Sequence, residues 1–238
     1  MHRLFLAGTH TDKAELEVGG REAHHALHVM RVGRGDEAVV LDGAGGEYAC
    51  EVREAGRHSL KLQVMGWKVT ERQPCQVTLI QALPKGKAFE MILEKATELG
   101  AYRIVPLITE RVVARAEKLE KWRWVMIDAM KQCGNPWMPV LDAPHRFADA
   151  LRRVEEFDVN LVGSLDVAGA RRNPGQWLKG VRNVAVWIGP EGDFTPQEMN
   201  ALRNAGVREI SLGRLVLRSD TAAISSLAII NYELDIGG

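Results

Sequence analysis

The chain has 238 residues, 46% hydrophobic and 26% charged, which is enough to bury one large core or two small ones and is ordinary for a globular protein. Lysine plus arginine equal aspartate plus glutamate at 31 each, so a purely electrostatic, nonspecific nucleic-acid binder is disfavoured, although a one-sided basic patch is still allowed. No apolar run reaches membrane-spanning length, and the three widely spaced cysteines, Cys50, Cys75 and Cys133, have no metal-ligand spacing. The start Met1 to Leu6 is too short for a secretory leader, so the expectation is a reduced cytoplasmic protein without disulfides, membrane or metal.

Residues 1 to about 70 read as β-rich. Strand-like runs at 37–42 and 47–52 flank the glycine cluster 43–46, a hairpin signal, and 59–64 alternates polar and apolar residues as a half-buried strand does. The cluster is not a dinucleotide loop, because Tyr48 occupies the place of a third glycine and a strand follows it instead of a helix. Residues 67–75 are polar and proline-marked, a linker.

From Gln76 onward strands alternate with helices. Strands are expected at 77–82, 103–108, 159–163, 184–188 and 209–212, and helices at 87–99, 117–132, 147–156, 196–205 and 220–234. Such alternation implies an α/β fold with a mostly parallel sheet covered by helices. In the first helix Phe89, Ile92, Leu93, Ala96 and Leu99 form one apolar stripe closed by Gly100. Glu90, Glu94 and Glu98 stack on another face and repel, with Lys87 and Lys95 placed to offset them. The last helix is apolar around an arc wider than one buried face needs, which leaves a sandwiched helix or a subunit contact.

Two stretches in the second half stand out. Ala185–Ile188 runs into the turn Gly189-Pro190-Glu191-Gly192, and a helix follows with Thr195 as N-cap, Pro196 at its first position, Glu198 completing a capping box and Gly206 as the stop. Strand 209–212 ends in Gly213 and a loop, Arg214 to Ser219, before the last helix. Two strands ending in glycine-bearing loops place a ligand site outside the carboxyl ends of a parallel sheet.

The pair IGPEGDFTPQE and LGRLVLRSDTA resembles the two signature loops of the RsmE family of SPOUT-class methyltransferases. The segments PKG (84–86) with Glu90, Lys95 and ELG (98–100), PLITER (106–111) and KQCG (131–134) fall in the family's order, and HHALHVMRVGRGD (24–36) resembles its leading domain. The resemblance implies a PUA-like RNA-binding β-barrel at 1–70 and a SPOUT methyltransferase domain at 75–238, with a deep trefoil knot from about 160 to 238. It further implies a homodimer using S-adenosylmethionine to methylate N3 of a uridine in 16S ribosomal RNA, as free RNA or within the small ribosomal subunit.

On that reading Gly189, Pro190, Gly192 and Gly213 cradle the cofactor with their backbone, and Leu212 and Leu217 wall its adenine, with ordinary core packing as the rival role for the leucines. Arg218 is the catalytic candidate, holding a uracil or phosphate oxygen, against a surface salt bridge with Asp220 or Glu191. Glu191 is placed either to accept the N3 proton or to cap the helix at Thr195. His145 reads as a loop residue beside Pro144.

For RNA the candidates are Arg21, His25, Arg31, Arg111 and Gln132, with Arg115, Lys118, Lys121 and Arg123 nearby but interrupted by Glu117 and Glu120. Trp122 and Trp124 face different sides of their helix, so one is core and the other is available to stack on a base. The chain departs from the family pattern at Asp193, where relatives usually carry a second glycine, and at Arg214-Leu215-Val216-Leu217, where a proline is lost. The altered second loop leaves open an RNA-binding protein with weakened catalysis, or methylation of another base. A nucleotide enzyme of the NAD or ATP kind lacks its glycine signatures here.

Overall fold

The structure is a computed structural model that describes residues 2–8, 10–112, 118–164 and 174–234. Arg115 and Glu117 lie outside the described residues, as do parts of the 160–238 span. The chain forms two compact units, residues 1–72 with 127–138, and residues 73–126 with 139–238.

The first unit contains strands β1 (His2–Phe5), β2 (Glu15–Gly19), β3 (Glu37–Leu41), β4 (Gly46–Ala55) and β5 (Ser59–Val69), with helix α1 (Gly20–His28) after β2. They pair in the order β1-β3-β4-β5-β2. Among the described residues no ladder joins the end strands β1 and β2 of the expected barrel. Alternation sets the buried face, as in β2, where Leu16 and Val18 point inward between exposed neighbours. The expected hairpin forms between β3 and β4. Asp42 ties it, its carboxylate accepting from the N–H groups of Ala44 at 2.7 Å and Gly46 at 2.8 Å. Strand β5 continues to Val69, so Trp67 and Lys68, expected in a linker, are in the sheet opposite Tyr48 and Glu47.

Residues 127–138, which the sequence reading placed with the second domain, count with this unit. Their anchor is Lys131, whose Nζ meets Glu22 at 2.9 Å, both side chains less than a tenth exposed. Glu22 also accepts from the Phe5 N–H at 3.0 Å, and the Arg3 guanidinium donates to the carbonyls of Lys131 at 3.0 Å and Gln132 at 2.9 Å. A buried pair of this kind is stabilising only while both partners are present.

The second unit is built on β6 (Gln76–Ala82), β7 (Arg103–Ile108), β8 (Val140–Leu141), β9 (His145–Arg146), β10 (Val159–Gly163), β11 (Asn183–Ile188) and β12 (Arg208–Ile210). Its helices are α2 (Ala88–Glu98), α3 (Leu119–Cys133, which ends among the first unit's residues), α4 (Phe147–Leu151), α5 (Gly175–Leu178), α6 (Pro196–Asn204) and α7 (Ser219–Glu233). Every ladder is parallel, in the order β12-β10-β11-β6-β7-β8, with β9 beside β7. The central strands β6 and β11 are buried at nearly every position, as a sheet covered on both faces requires. The sheet's Trp187 is fully buried and its indole N–H donates to Asn160 at 3.2 Å.

The expected 147–156 helix is shorter, ending at Leu151 before a single 3-10 turn at Val154–Glu156. The glutamates of α2 are neutralised locally, Lys95 reaching Glu94 at 2.8 Å and Glu98 at 2.9 Å, while Lys121 pairs with Glu90. Strands added after β6 lie on both of its sides, with β7 and β8 one way and β11, β10 and β12 the other. The reversal makes a crevice at the carboxyl ends of the strands.

Burial pushes the thiols of Cys50 and Cys75 up to about 11, with Asp158 adding to the effect at Cys75, whereas Cys133 is exposed. A disulfide-exchange reagent at mildly alkaline pH therefore modifies Cys133 in the folded protein and reaches Cys50 and Cys75 only after unfolding. Peptide mapping of the labelled chain checks this, and rapid native labelling of either buried thiol contradicts it.

Candidate active site

Strand β11 leads into the first bend. A Cβ on Gly189 would lie 2.9 Å from the Asp193 carboxylate and 3.1 Å from the Phe194 nitrogen, so any other residue there would push against the folded-back turn. The turn closes through the Asp193 N–H to the Pro190 carbonyl at 2.9 Å. Asp193 itself has φ of 61°, the left-handed region that glycine normally fills. Its own Oδ1 compensates by accepting from the Phe194 N–H at 2.8 Å. Aspartate thus keeps a backbone shape for which glycine is the usual residue.

Helix α6 is fixed as its sequence implies. Thr195 accepts from the Glu198 N–H at 3.2 Å, and Glu198 accepts from the Thr195 N–H at 2.9 Å, a complete capping box. Glu191 is therefore not the cap. Its Oε1 accepts from the Lys85 N–H at 2.7 Å, beyond the end of β6.

The second bend follows β12. Gly213 has φ of 134°, and a Cβ built on it meets nothing within 4 Å, so glycine is needed there for backbone angle and not for space. Helix α7 begins at Ser219, whose hydroxyl donates to the Gly189 carbonyl at 2.7 Å and accepts from the Gln81 side-chain amide at 2.9 Å. Both side chains are buried. This pins the start of α7 to the first bend and to the end of β6.

The two bends line an open cleft at the carboxyl ends of the strands. Gly189, Pro190 and Glu191 line it from one side and Leu212, Gly213 and Leu217 from the other. Gly163 and Ser164, at the end of β10, form its base. Leu215 and Val216 also line it while being 79% and 77% exposed, an apolar wall open to a ligand.

Two expected residues stand beside the cleft. Gly192 offers its carbonyl to the Arg111 guanidinium, which also reaches the Asp193 carbonyl at 3.4 Å, so Arg111 clamps the back of the first bend. Arg218 is the N-cap residue of α7, its side chain 79% exposed and paired with the buried Asp220 at 3.0 Å. Sequence reasoning missed Gly163, Ser164, Gln81 and Ser219. Only strand order, with β10 between β11 and β12, brings the first two into the site.

Among the RNA candidates, His25 and Gln132 share an open hollow of the first unit with Arg3 and Lys131. Arg21 is one turn before His25 on α1, and the exposed Arg31 has φ of 56°. His145 lies in β9, 3.7 Å from Asp142. Of the two tryptophans Trp122 is core, packed edge-on against Phe89, and Trp124 is half-buried. Among the described residues no three His, Cys, Asp or Glu side chains are placed to share a metal ion, and no helix is long and apolar enough to cross a membrane.

Known proteins share this arrangement. Residues 71–231 match the model of an RNA methyltransferase domain, and residues 18–65 match that of an RNA methyltransferase PUA domain. A methyltransferase from Legionella pneumophila, solved with bound SAM, superposes with a TM-score of 0.87 at 27% identity, over 97% of this chain and 96% of that one. The ribosomal RNA small subunit methyltransferase E of Neisseria gonorrhoeae, bound to S-adenosyl methionine, gives 0.87 at 26% identity, over 98% and 97% of the two chains. The Synechocystis ribosomal RNA small subunit methyltransferase E is 31% identical, over 98% of this chain and 78% of its own. The chain belongs to the ribosomal RNA small subunit methyltransferase E family.

Replacing Asp193 by alanine is expected to cost about 1–2 kcal/mol, from left-handed strain and the lost bond to Phe194, with glycine at that position recovering most of it. Ser219→Ala removes the hydroxyl partner of the buried Gly189 carbonyl and one of the two bonds of the Gln81 amide, and is expected to cost about 1–3 kcal/mol. Denaturant unfolding measures both, and an unchanged midpoint for Ser219→Ala would show that the pin contributes nothing.

Proposed function

We propose that the chain methylates N3 of a uridine in 16S ribosomal RNA with S-adenosylmethionine as donor, in the cytoplasm and as a homodimer, and that its second unit carries the deep trefoil knot. The cleft where the two bends meet is the observation that carries this reading. Its residues fit the donor. On the Gly213 side a Cβ would meet nothing within 4 Å, and Leu212, Leu217 and the exposed Val216 offer apolar surface to an adenine. When bound, the donor supplies a methyl group already activated on a sulfonium sulfur.

The protein's part is positioning and proton handling. Uridine N3 must lose its proton to act as a nucleophile. Glu191, which lines the cleft and accepts from the Lys85 N–H, is the acceptor. Arg218, charged at any relevant pH and extended into solvent, donates to a uracil or phosphate oxygen as negative charge develops. N3 lies on the pairing edge of the base, so the target nucleotide must be unpaired or turned out of its helix. Arg21, His25, Arg31 and Gln132 contact the RNA through the first unit, and Arg111 does so beside the first bend.

Two features support the assembly. Helix α7 keeps Tyr232 at 83% exposure and Ala228 exposed, a face suited to a second copy. The knot is supported by the path of the chain, which leaves β12 at the sheet edge and returns as α7 to pack on β11, β6 and α2.

The test is nucleoside mapping of 16S rRNA from a strain lacking this gene. 3-Methyluridine is expected to disappear, to return with the wild-type gene and to stay largely absent with Arg218→Ala. The same variant should unfold within about 1 kcal/mol of wild type, because an ion pair with one exposed partner contributes little. Calorimetry with S-adenosylmethionine separates catalysis from a purely RNA-binding role. A folded protein that binds no donor overturns the enzyme reading.

A further inference from the structure

A second open cleft lies on the other side of the first bend. It shares Pro190 and Glu191 with the donor cleft, so the two are separated only by the thickness of the turn. Phe89 and Trp122 form part of its wall, with ring centroids 4.6 Å apart and both side chains almost fully buried, which makes that wall rigid. Lys85, Lys118 and Arg111, all exposed, supply cationic groups along it. Of its two carboxylates, Glu90 is paired with Lys121, and Glu191 accepts from the Lys85 N–H. The cleft therefore combines an aromatic, apolar interior with a positive margin.

We infer that this second cleft receives the unpaired target nucleotide of the RNA, its base against Phe89 and Trp122 and its phosphates on Lys85 and Lys118. The inference rests on the methyl-transfer reading and adds the place from which the acceptor approaches. A displacement at carbon needs the nucleophile behind the methyl group, in space contiguous with the donor but not occupied by it. A neighbouring cleft that opens onto the same glutamate provides that space. Glu191 then faces both reactants, where a proton leaving N3 has an acceptor at hand. Nucleotide recognition needs an apolar surface for the base and cations for the backbone, and this cleft carries both.

The test uses the full-length protein and an RNA fragment carrying 5-iodouridine at the position that the wild-type enzyme methylates. Irradiation is expected to join the base to a peptide within residues 83–90 or 118–122. Lys85→Glu and Lys118→Glu, at exposed positions, are expected to raise KM for the RNA about tenfold or more while leaving donor affinity and thermal midpoint unchanged. A crosslink to any other segment, no crosslink, or an unchanged KM in both variants overturns the inference. Failure of the methyl-transfer reading is seen separately, as wild-type protein that forms no 3-methyluridine.

Discussion

The hydroxyl of Ser219 is the contact on which the site depends. It stands between the Gly189 carbonyl and the Gln81 amide, and so joins the ends of two sheet strands to the first residue of α7. Gln81 is 138 positions away in the chain and Gly189 is 30. The β6–β11 ladder already sets Gln81 beside Ile188, and Lys85 and Arg111 hold the first bend, so what Ser219 adds is the tie of α7 to that framework. Because all the groups are buried, breaking the contact strands polar atoms away from water, which makes the arrangement close to all-or-none. A cleft built this way is organised before a ligand arrives, and binding energy is not used to assemble it.

Much of the fold was legible because its signals are local. The capping box at Thr195, Pro196 and Glu198 is chemistry over four residues and appears as read. Continuous apolar runs gave β10 and β11 almost to the residue, since strands buried on both faces leave no polar alternation to blur their ends. The two bends were visible as glycines at strand ends. The donor, the target base and the knot came from the resemblance to a family, because no periodicity encodes them.

What escaped was non-local or weakly marked. Gly163 and Ser164 end an ordinary strand, and only the pairing of β10 with both β11 and β12 brings them to the cleft. Helix α1 opens on Gly19 and Gly20 without a side-chain cap, so no local signal marked its start. Strand β1 carries too few residues for a period to show, and the alternation of β2 runs over only five. Charge patterning misled in a useful way. Balanced totals concealed that Lys85, Lys118 and Arg111 gather along one cleft while the glutamates of α2 are neutralised by Lys95 and Lys121.

The buried Glu22–Lys131 pair has a consequence for how the molecule is made. Its partners are 109 residues apart, and a ribosome delivers the carboxylate long before the amine. Until Lys131 has been made, Glu22 has the Phe5 N–H but not its charged partner. A fragment stopped at residue 72 would contain the sequence of all five strands yet lack Lys131. The amino-terminal unit is thus first to emerge, yet part of it, Ile127–Met138, is made only after residues 73–126 of the second unit have been added.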